Sequence, residues 1–339
     1  MKAIALTHYL PIDDPDSLFD TELDSPVATG HDLLINVTAV SVNPVDCKVR
    51  APKEQIETEP KILGWDACGI VSGIGDSVSL FEVGDRVFYA GDISRPGSNC
   101  EYQLVDEKIV GRAPETLSDE AVAAVPLTAI TAWEALFDRL GVSLDEDNTA
   151  KTILIIGGAG GVGSIAVQLA SRLAGLTVIA TASKEKSVSW CEGLGAAEVI
   201  NHHQPIPEQL NALGYHQVDY ILCLNDTDMH FAAMVEVIKP QGVICSVVDN
   251  KQPLDMSTLK SKSVGFVWEF MFTRAMYQTD DRIEQHHLLN EVARLLDEGI
   301  LKSTLTESFK PITAENLRKA HAKVETGDMV GKLVLSGWS

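Results

Sequence analysis

Basic residues are scarce in this sequence: 27 Lys and Arg stand against 48 Asp and Glu, a formal net charge of -21 at pH 7. A surface of that sign repels a phosphodiester backbone and an anionic membrane, so neither a nucleic acid nor a membrane is an expected partner. Cysteine is sparse and scattered. The six thiols, Cys47, Cys68, Cys100, Cys191, Cys223 and Cys245, form no C-x-x-C pair. This removes support for a disulfide framework or zinc ribbon and predicts reduced, buried thiols. No apolar run approaches the roughly 20 residues that cross a bilayer. The N-terminus breaks into His8, Pro11, Asp13 and Asp14 without a signal-peptide core. A soluble, cytoplasmic protein is therefore expected. Repeats and low-complexity tracts are also missing, and 339 residues with a 45% hydrophobic share predict about two ordinary globular domains.

What is present changes character along the chain. Short Val-, Ile- and Tyr-rich segments at 2–6, 32–42, 68–74, 86–89 and 102–105, separated by turn residues such as Gly73, Gly75 and Gly84, predict an antiparallel barrel or sandwich. Helices are expected at 121–125, behind a Ser118 cap, and at 128–140. From Thr152 strands (152–156, 177–182, 198–201, 218–224, 243–248) alternate with helices starting at Gly161, Lys184, Pro207 and Asp228. Continuous apolar strands alternating with helices predict a parallel sheet covered on both faces. A strand at 264–271, a helix at 283–296, a Thr313-capped helix ended by Gly327 and a strand at 331–335 complete the reading. Segments 51–61 and 274–281 are expected to be loops lining a substrate cleft.

The residues with the clearest chemistry follow the first parallel strand. Ile153–Ile156 runs into Gly157-Gly158-Ala159-Gly160-Gly161-Val162-Gly163 and then into a helical stretch. Gly158, Gly160 and Gly163 form G-x-G-x-x-G in the strand–turn–helix setting of a dinucleotide-binding unit: a tight turn, close approach of a diphosphate, and close helix packing each require one glycine. At the end of the next strand, where a carboxylate would hold the ribose hydroxyls of NAD, the chain reads Thr181-Ala182-Ser183-Lys184-Glu185-Lys186. A hydroxyl and two lysines suit the 2′-phosphate of NADPH. A capped, solvated first helical turn with Ser183 as N-cap is the competing reading.

Asn43-Pro-Val-Asp46, Gly64-Trp-Asp-Ala-Cys-Gly69, Gly84-Asp-Arg-Val87, Pro126-Leu-Thr-Ala-Ile-Thr-Ala-Trp133, the glycine loop and Gly331-Lys-Leu-Val-Leu335 occur in the order found in medium-chain dehydrogenases/reductases. Over essentially its whole length the chain resembles the quinone oxidoreductase (zeta-crystallin-like) branch, whose members are often labelled zinc-binding alcohol dehydrogenase family proteins. The resemblance implies an α/β protein: a GroES-like, β-rich catalytic domain from residues 1–126 and 271–339, around a Rossmann doubly wound parallel sheet at 127–270. It also implies a metal test. Zinc alcohol dehydrogenases of the superfamily carry Cys at the place of Asn43, Gly-His-Glu at Gly64-Trp65-Asp66, a further Cys near Leu127 and a proton-relay hydroxyl at Val45. They also have a four-cysteine lobe where this chain has only Cys100. Asn, Trp and Leu make no catalytic zinc site, so a metal-free centre is expected.

Without a Lewis acid, hydride removal from an unactivated alcohol lacks a route, whereas a quinone or conjugated enone needs only hydrogen bonds to its oxygen. The expected activity is NADPH-dependent reduction of a quinone or α,β-unsaturated carbonyl. A zinc-type alcohol dehydrogenase and a nucleotide-binding sensor or structural protein without turnover are the alternatives. Asn43, Trp65 and Thr128 are the candidate catalytic residues, expected in a cleft between the domains around the nicotinamide; Asn43 is the hydrogen-bond donor and Trp65 faces the cleft. As alternatives, Asn43 is a turn residue before Pro44 and Thr128 a helix cap. Asp46 is expected to serve structure rather than act as a base. Cofactor contacts are expected from Gly158, Ala159, Gly160, Gly161, Val162 and Gly163 (diphosphate), Ser183, Lys184 and Lys186 (2′-phosphate) and His202 (adenine). His286 and His287 read as surface and packing residues. The apolar 263–271 segment implies a homodimer, because in the family a strand here pairs with its symmetry mate.

Overall fold

The computed structural model describes all residues, 1–339, and the chain divides into two compact units: Met1–Ile130 with Phe272–Ser339, and Thr131–Met271. The first unit opens with eight strands: β1 (Lys2–Tyr9), β2 (Phe19–Glu22), β3 (Asp32–Ser41), β4 (Lys53–Ile62), β5 (Asp66–Ile74), β6 (Arg86–Tyr89), β7 (Tyr102–Asp106) and β8 (Val110–Arg112). The second holds β9 (Thr152–Ile156), β10 (Thr177–Thr181), β11 (Glu198–Ile200), β12 (Val218–Cys223), β13 (Ile238–Ser246) and β14 (Gly265–Trp268). The chain then returns to the first unit for β15 (Leu305–Phe309) and β16 (Lys332–Ser336).

In the first unit a seven-stranded sheet runs β15-β16-β3-β5-β6-β8, with β7 also on β3, beside a three-stranded β2-β1-β4 sheet. Leu33, Ile35 and Val37 of β3 point into the core at period two. Register sets the site. Ser41 at the end of β3 pairs with Asp66 at the start of β5 and with Val334 of β16, so three chain segments distant in sequence converge beside Asn43.

The second unit is a parallel sheet in the order β11-β10-β9-β12-β13-β14, the doubly wound arrangement that reverses direction beside its first strand. Ile153, Leu154, Ile155 and Ile156 are fully buried in β9, as a strand covered by helices on both faces requires. The strand leads into the helix Gly161–Gln168, which continues as a π-helical turn, Leu169–Leu173.

Several expectations are corrected. Residues 51–61 are not a loop: most belong to β4, paired to β1, and exposed polar residues concealed an edge strand with weak alternation. Segment 274–281 contains a short helix, Thr273–Met276. The helix expected at 128–140 is Pro126–Trp133 followed by a π-helical stretch, Glu134–Arg139. The strand expected at 264–271 is shorter, Gly265–Trp268. The helical run Asp119–Arg139 is long and apolar enough by length and composition to cross a membrane, but 78% of its most apolar window is buried within the protein, as in a core helix.

Candidate functional site

Asn43 occupies the N-cap position of the helix Pro44–Arg50, with extended backbone and Pro44 in the first helical position, where proline's missing N–H costs nothing. Asp46, three residues on, accepts the Asn43 backbone N–H at 2.7 Å. The Asn43 side chain makes no cap hydrogen bond of its own and turns to another task. Its Nδ2 donates to Asp66 Oδ2 at 2.7 Å, and its Oδ1 accepts from the Lys332 ammonium. Lys332 also donates to Val42 O at 2.9 Å and Asp66 Oδ2 at 3.3 Å. Asp66 additionally takes Ser41 Oγ and the Leu127 backbone N–H, each at 2.7 Å.

All members of this cluster are buried, so charge balance governs it. Burial pulls the Lys332 ammonium below its ordinary value, while the Asp66 and Asp46 carboxylates oppose the shift. Burial pushes Asp46 up to about 7, against the Asn43 N–H and Lys332, which favour its anion. One ammonium faces two carboxyl groups, and Asp46 is the one that burial holds well above the ordinary aspartate value. No grouping of three or more His, Cys, Asp or Glu side chains suited to a metal exists in the chain. Here the oxygen donors already hold an ammonium, while the neighbouring Trp65 and Leu127 offer no ligand atoms. These residues do not fit a catalytic zinc ion.

Trp65, expected at an open face, is 2% exposed. Its indole packs edge-on to Phe272 at 5.8 Å, the stable fate of a large apolar ring, and its Nε1 lacks a hydrogen-bond partner. Thr128 is likewise buried and donates its hydroxyl proton to Val125 O at 2.8 Å, which leaves the oxygen lone pairs as its remaining function. His286 donates its Nδ1–H to Val110 O at 2.7 Å.

The second unit carries the glycine loop. A Cβ on Gly163 would lie 2.3 Å from Gly157 O, and one on Gly158 would lie 2.8 Å from the Ala180 Cβ, so packing demands both glycines. Gly160 differs: its nearest neighbour would be Gly157 O at 3.6 Å, ordinary contact. Protein packing does not require glycine there. Gly160 is the uncapped N-cap of Gly161–Gln168, whose first N–H groups lack intrahelical acceptors. Open space, free donors and the positive helix end fit a dinucleotide diphosphate.

At the end of β10, Thr181 Oγ1 accepts the Gly157 N–H at 3.0 Å and so braces the loop. Lys184, not Ser183, is the N-cap of Glu185–Leu194, and its N–H donates to Ser187 Oγ at 3.1 Å. Ser183 is half-buried, and Lys184 and Lys186 are exposed. His202 is half-buried with its ring 4.3 Å from His203, its Nδ1 lacks a partner, and burial lowers its pKa.

Sequence reading missed two buried ionic groups. Lys332 appeared only within the terminal Gly-Lys-Leu-Val-Leu segment; a lysine directly before the apolar run Leu333–Leu335 was the available signal. Glu134, Glu269 and Arg139 form the other: Arg139 Nε lies 2.8 Å from Glu269 and Arg139 Nη2 3.9 Å from Glu134, with both carboxyls inaccessible. Burial and the adjoining Glu134 raise Glu269 well above the carboxylate range, with Arg139 opposing.

Residues 29–117 match the alcohol dehydrogenase GroES-like domain and residues 194–335 the zinc-binding dehydrogenase family. A zinc-type alcohol dehydrogenase-like protein of Staphylococcus epidermidis is 42% identical over 337 residues, 99% of each chain. A solved structure from Rhizobium etli, named for a zinc-dependent alcohol dehydrogenase, is 50% identical with a TM-score of 0.96, covering 100% of this chain and 98% of the other. The 2-methylene-furan-3-one reductase of Solanum lycopersicum is 34% identical over 345 residues, 99% of this chain and 79% of that protein. The chain belongs to the medium-chain dehydrogenase/reductase superfamily. It is an oxidoreductase of that superfamily, whose fold binds a nicotinamide cofactor.

Proposed function

We propose that the protein is an NADPH-dependent reductase that delivers hydride to a quinone or an α,β-unsaturated carbonyl without a catalytic metal. The observation that carries this reading is the Lys332 ammonium seated on Asn43 and Asp66, the oxygen donors a metal would need. Nicotinamide, when bound, supplies the hydride. The chain's own residues hold and polarise: the loop Gly158-Ala159-Gly160-Gly161-Val162-Gly163 takes the diphosphate on its helix N-terminus, Ser183, Lys184 and Lys186 take the 2′-phosphate, and His202 adjoins the adenine. Asn43 donates an amide N–H to the oxygen of the acceptor as negative charge develops there. Thr128 offers its oxygen lone pairs to the nicotinamide portion. A carbonyl conjugated to a double bond is electrophilic at carbon already, which suits a centre with hydrogen-bond donors and no Lewis acid. The furanone reductase relative acts on a substrate whose name places a methylene group beside a ketone, which supports this class.

The names of the Staphylococcus and Rhizobium proteins favour a second reading, zinc-dependent alcohol oxidation. Initial rates with quinones, enals and simple alcohols, each with NADP(H) and NAD(H), separate the two. The first requires fastest turnover of NADPH with a quinone or enal; fastest turnover with an alcohol and oxidised cofactor would establish the second.

The reading includes a homodimer. β14 is the edge of its sheet, and its Trp268 is 44% exposed, an apolar strand edge that a second copy would cover.

A further inference from the structure

Lys332 occupies a position that simple charge neutralisation does not explain. An ammonium has three N–H bonds and no acceptor, and all three are committed, to Val42 O, Asn43 Oδ1 and Asp66 Oδ2. Asn43 must therefore turn its oxygen toward Lys332, which directs Nδ2 at Asp66 Oδ2, 2.7 Å away. The flipped amide would set N–H against ammonium and oxygen against carboxylate, two repulsive contacts in place of two attractive ones. Asp66 cannot follow such a flip, because the Leu127 N–H and Ser41 Oγ hold its two oxygens. Asp66 spends only one of the amide's two N–H bonds.

We infer that Lys332 is a positioning residue: it fixes the Asn43 amide in the orientation that keeps one N–H available to a substrate oxygen. This deepens the proposed reductase function and rests on it. A fixed orientation matters because a donor that must reorient during reaction loses much of its effect on the developing oxyanion. The role also differs from that of a bulk ion pair, which would stabilise the unit whichever way the amide lay.

Three variants test it. Lys332→Met leaves Asp66 buried without its cation and should lower both stability and turnover. Lys332→Met/Asp66→Asn removes both charges, so the melting temperature should return toward that of the native chain. Naphthoquinone turnover by the double variant should nevertheless stay about 10- to 100-fold low in kcat, the range of a lost oxyanion donor, with KM for NADPH unchanged. In Lys332→Ala, ethylamine should restore kcat several-fold by returning an ammonium to the vacated space. Recovery of kcat together with melting temperature in the double variant, or full kcat in folded Lys332→Met, would overturn the inference.

A readout independent of turnover separates this inference from the functional reading. In protein labelled with 15N-asparagine, the Asn43 side-chain amide signal is identified by its loss in Asn43→Ala. With one N–H bonded to a carboxylate, its two proton shifts should lie further apart in the native chain than in the double variant, where they should move toward those of a solvated amide. If the native chain reduces no quinone or enone, the functional reading fails, and an unchanged Asn43 amide signal in the double variant would independently defeat the role of Lys332.

Discussion

Asn43 stands at a helix N-cap position, yet its amide makes no cap hydrogen bond and serves the buried cluster instead. Asn43→Ala should lower quinone or enone reduction by about 10- to 100-fold, using the few kcal/mol that such donors supply. Steady-state kinetics check this, and an unchanged kcat would remove Asn43 from the chemistry. Glu269 makes a separate residue-scale prediction. Its folded-state pKa is raised by burial and Glu134, so above the ordinary glutamate value the native state binds more protons than the unfolded one. Its contribution is therefore complete in acid and is lost as pH rises toward its elevated folded value, by at most ~1.4 kcal/mol per pH unit for one proton. Denaturant titrations from pH 5 to 9 should show this loss, and Glu269→Gln should flatten it. An equally steep decline in the variant would assign the effect elsewhere.

At the scale of elements, the second unit was the more legible. β9 matches its sequence-predicted bounds, 152–156, because an apolar β-branched run followed by glycines leaves little alternative. β6 was equally plain at 86–89. The strands that escaped, β2, β4 and β8, are short or polar and exist through pairing with distant partners, which local propensity does not encode. The site followed the same division. Its glycine loop was readable as contiguous sequence, whereas the Lys332–Asn43–Asp66 contacts depend on the β16–β3–β5 register and Trp65 on tertiary burial. Two variants test the loop region. Lys184→Ala/Lys186→Ala should weaken NADPH roughly tenfold or more while sparing NADH, since each lost charge-assisted contact is worth about 1.5–3 kcal/mol. Fluorescence titrations with both cofactors decide it, and an unchanged ratio of affinities would contradict the 2′-phosphate assignment. Gly163→Ala should destabilise the second unit, because the added methyl meets the Gly157 carbonyl at 2.3 Å. A thermal melt unchanged from the native chain would refute that packing role.

For the whole molecule, the exposed edge at β14 and the metal-free chemistry are the claims with the widest reach. A 36.7 kDa chain should scatter light as a particle of about twice that mass at micromolar concentration. Trp268→Lys, which places a charge on the apolar edge, should shift it toward the monomer; a native chain that scatters only as a monomer would refute the dimer. The central claim is hydride delivery without metal, and one measurement addresses it directly: quinone-driven NADPH oxidation by protein dialysed against chelator, with zinc content determined on the same sample. The account predicts full activity with zinc far below one ion per chain. Stoichiometric zinc before dialysis, with activity lost on its removal and restored on its return, would contradict it.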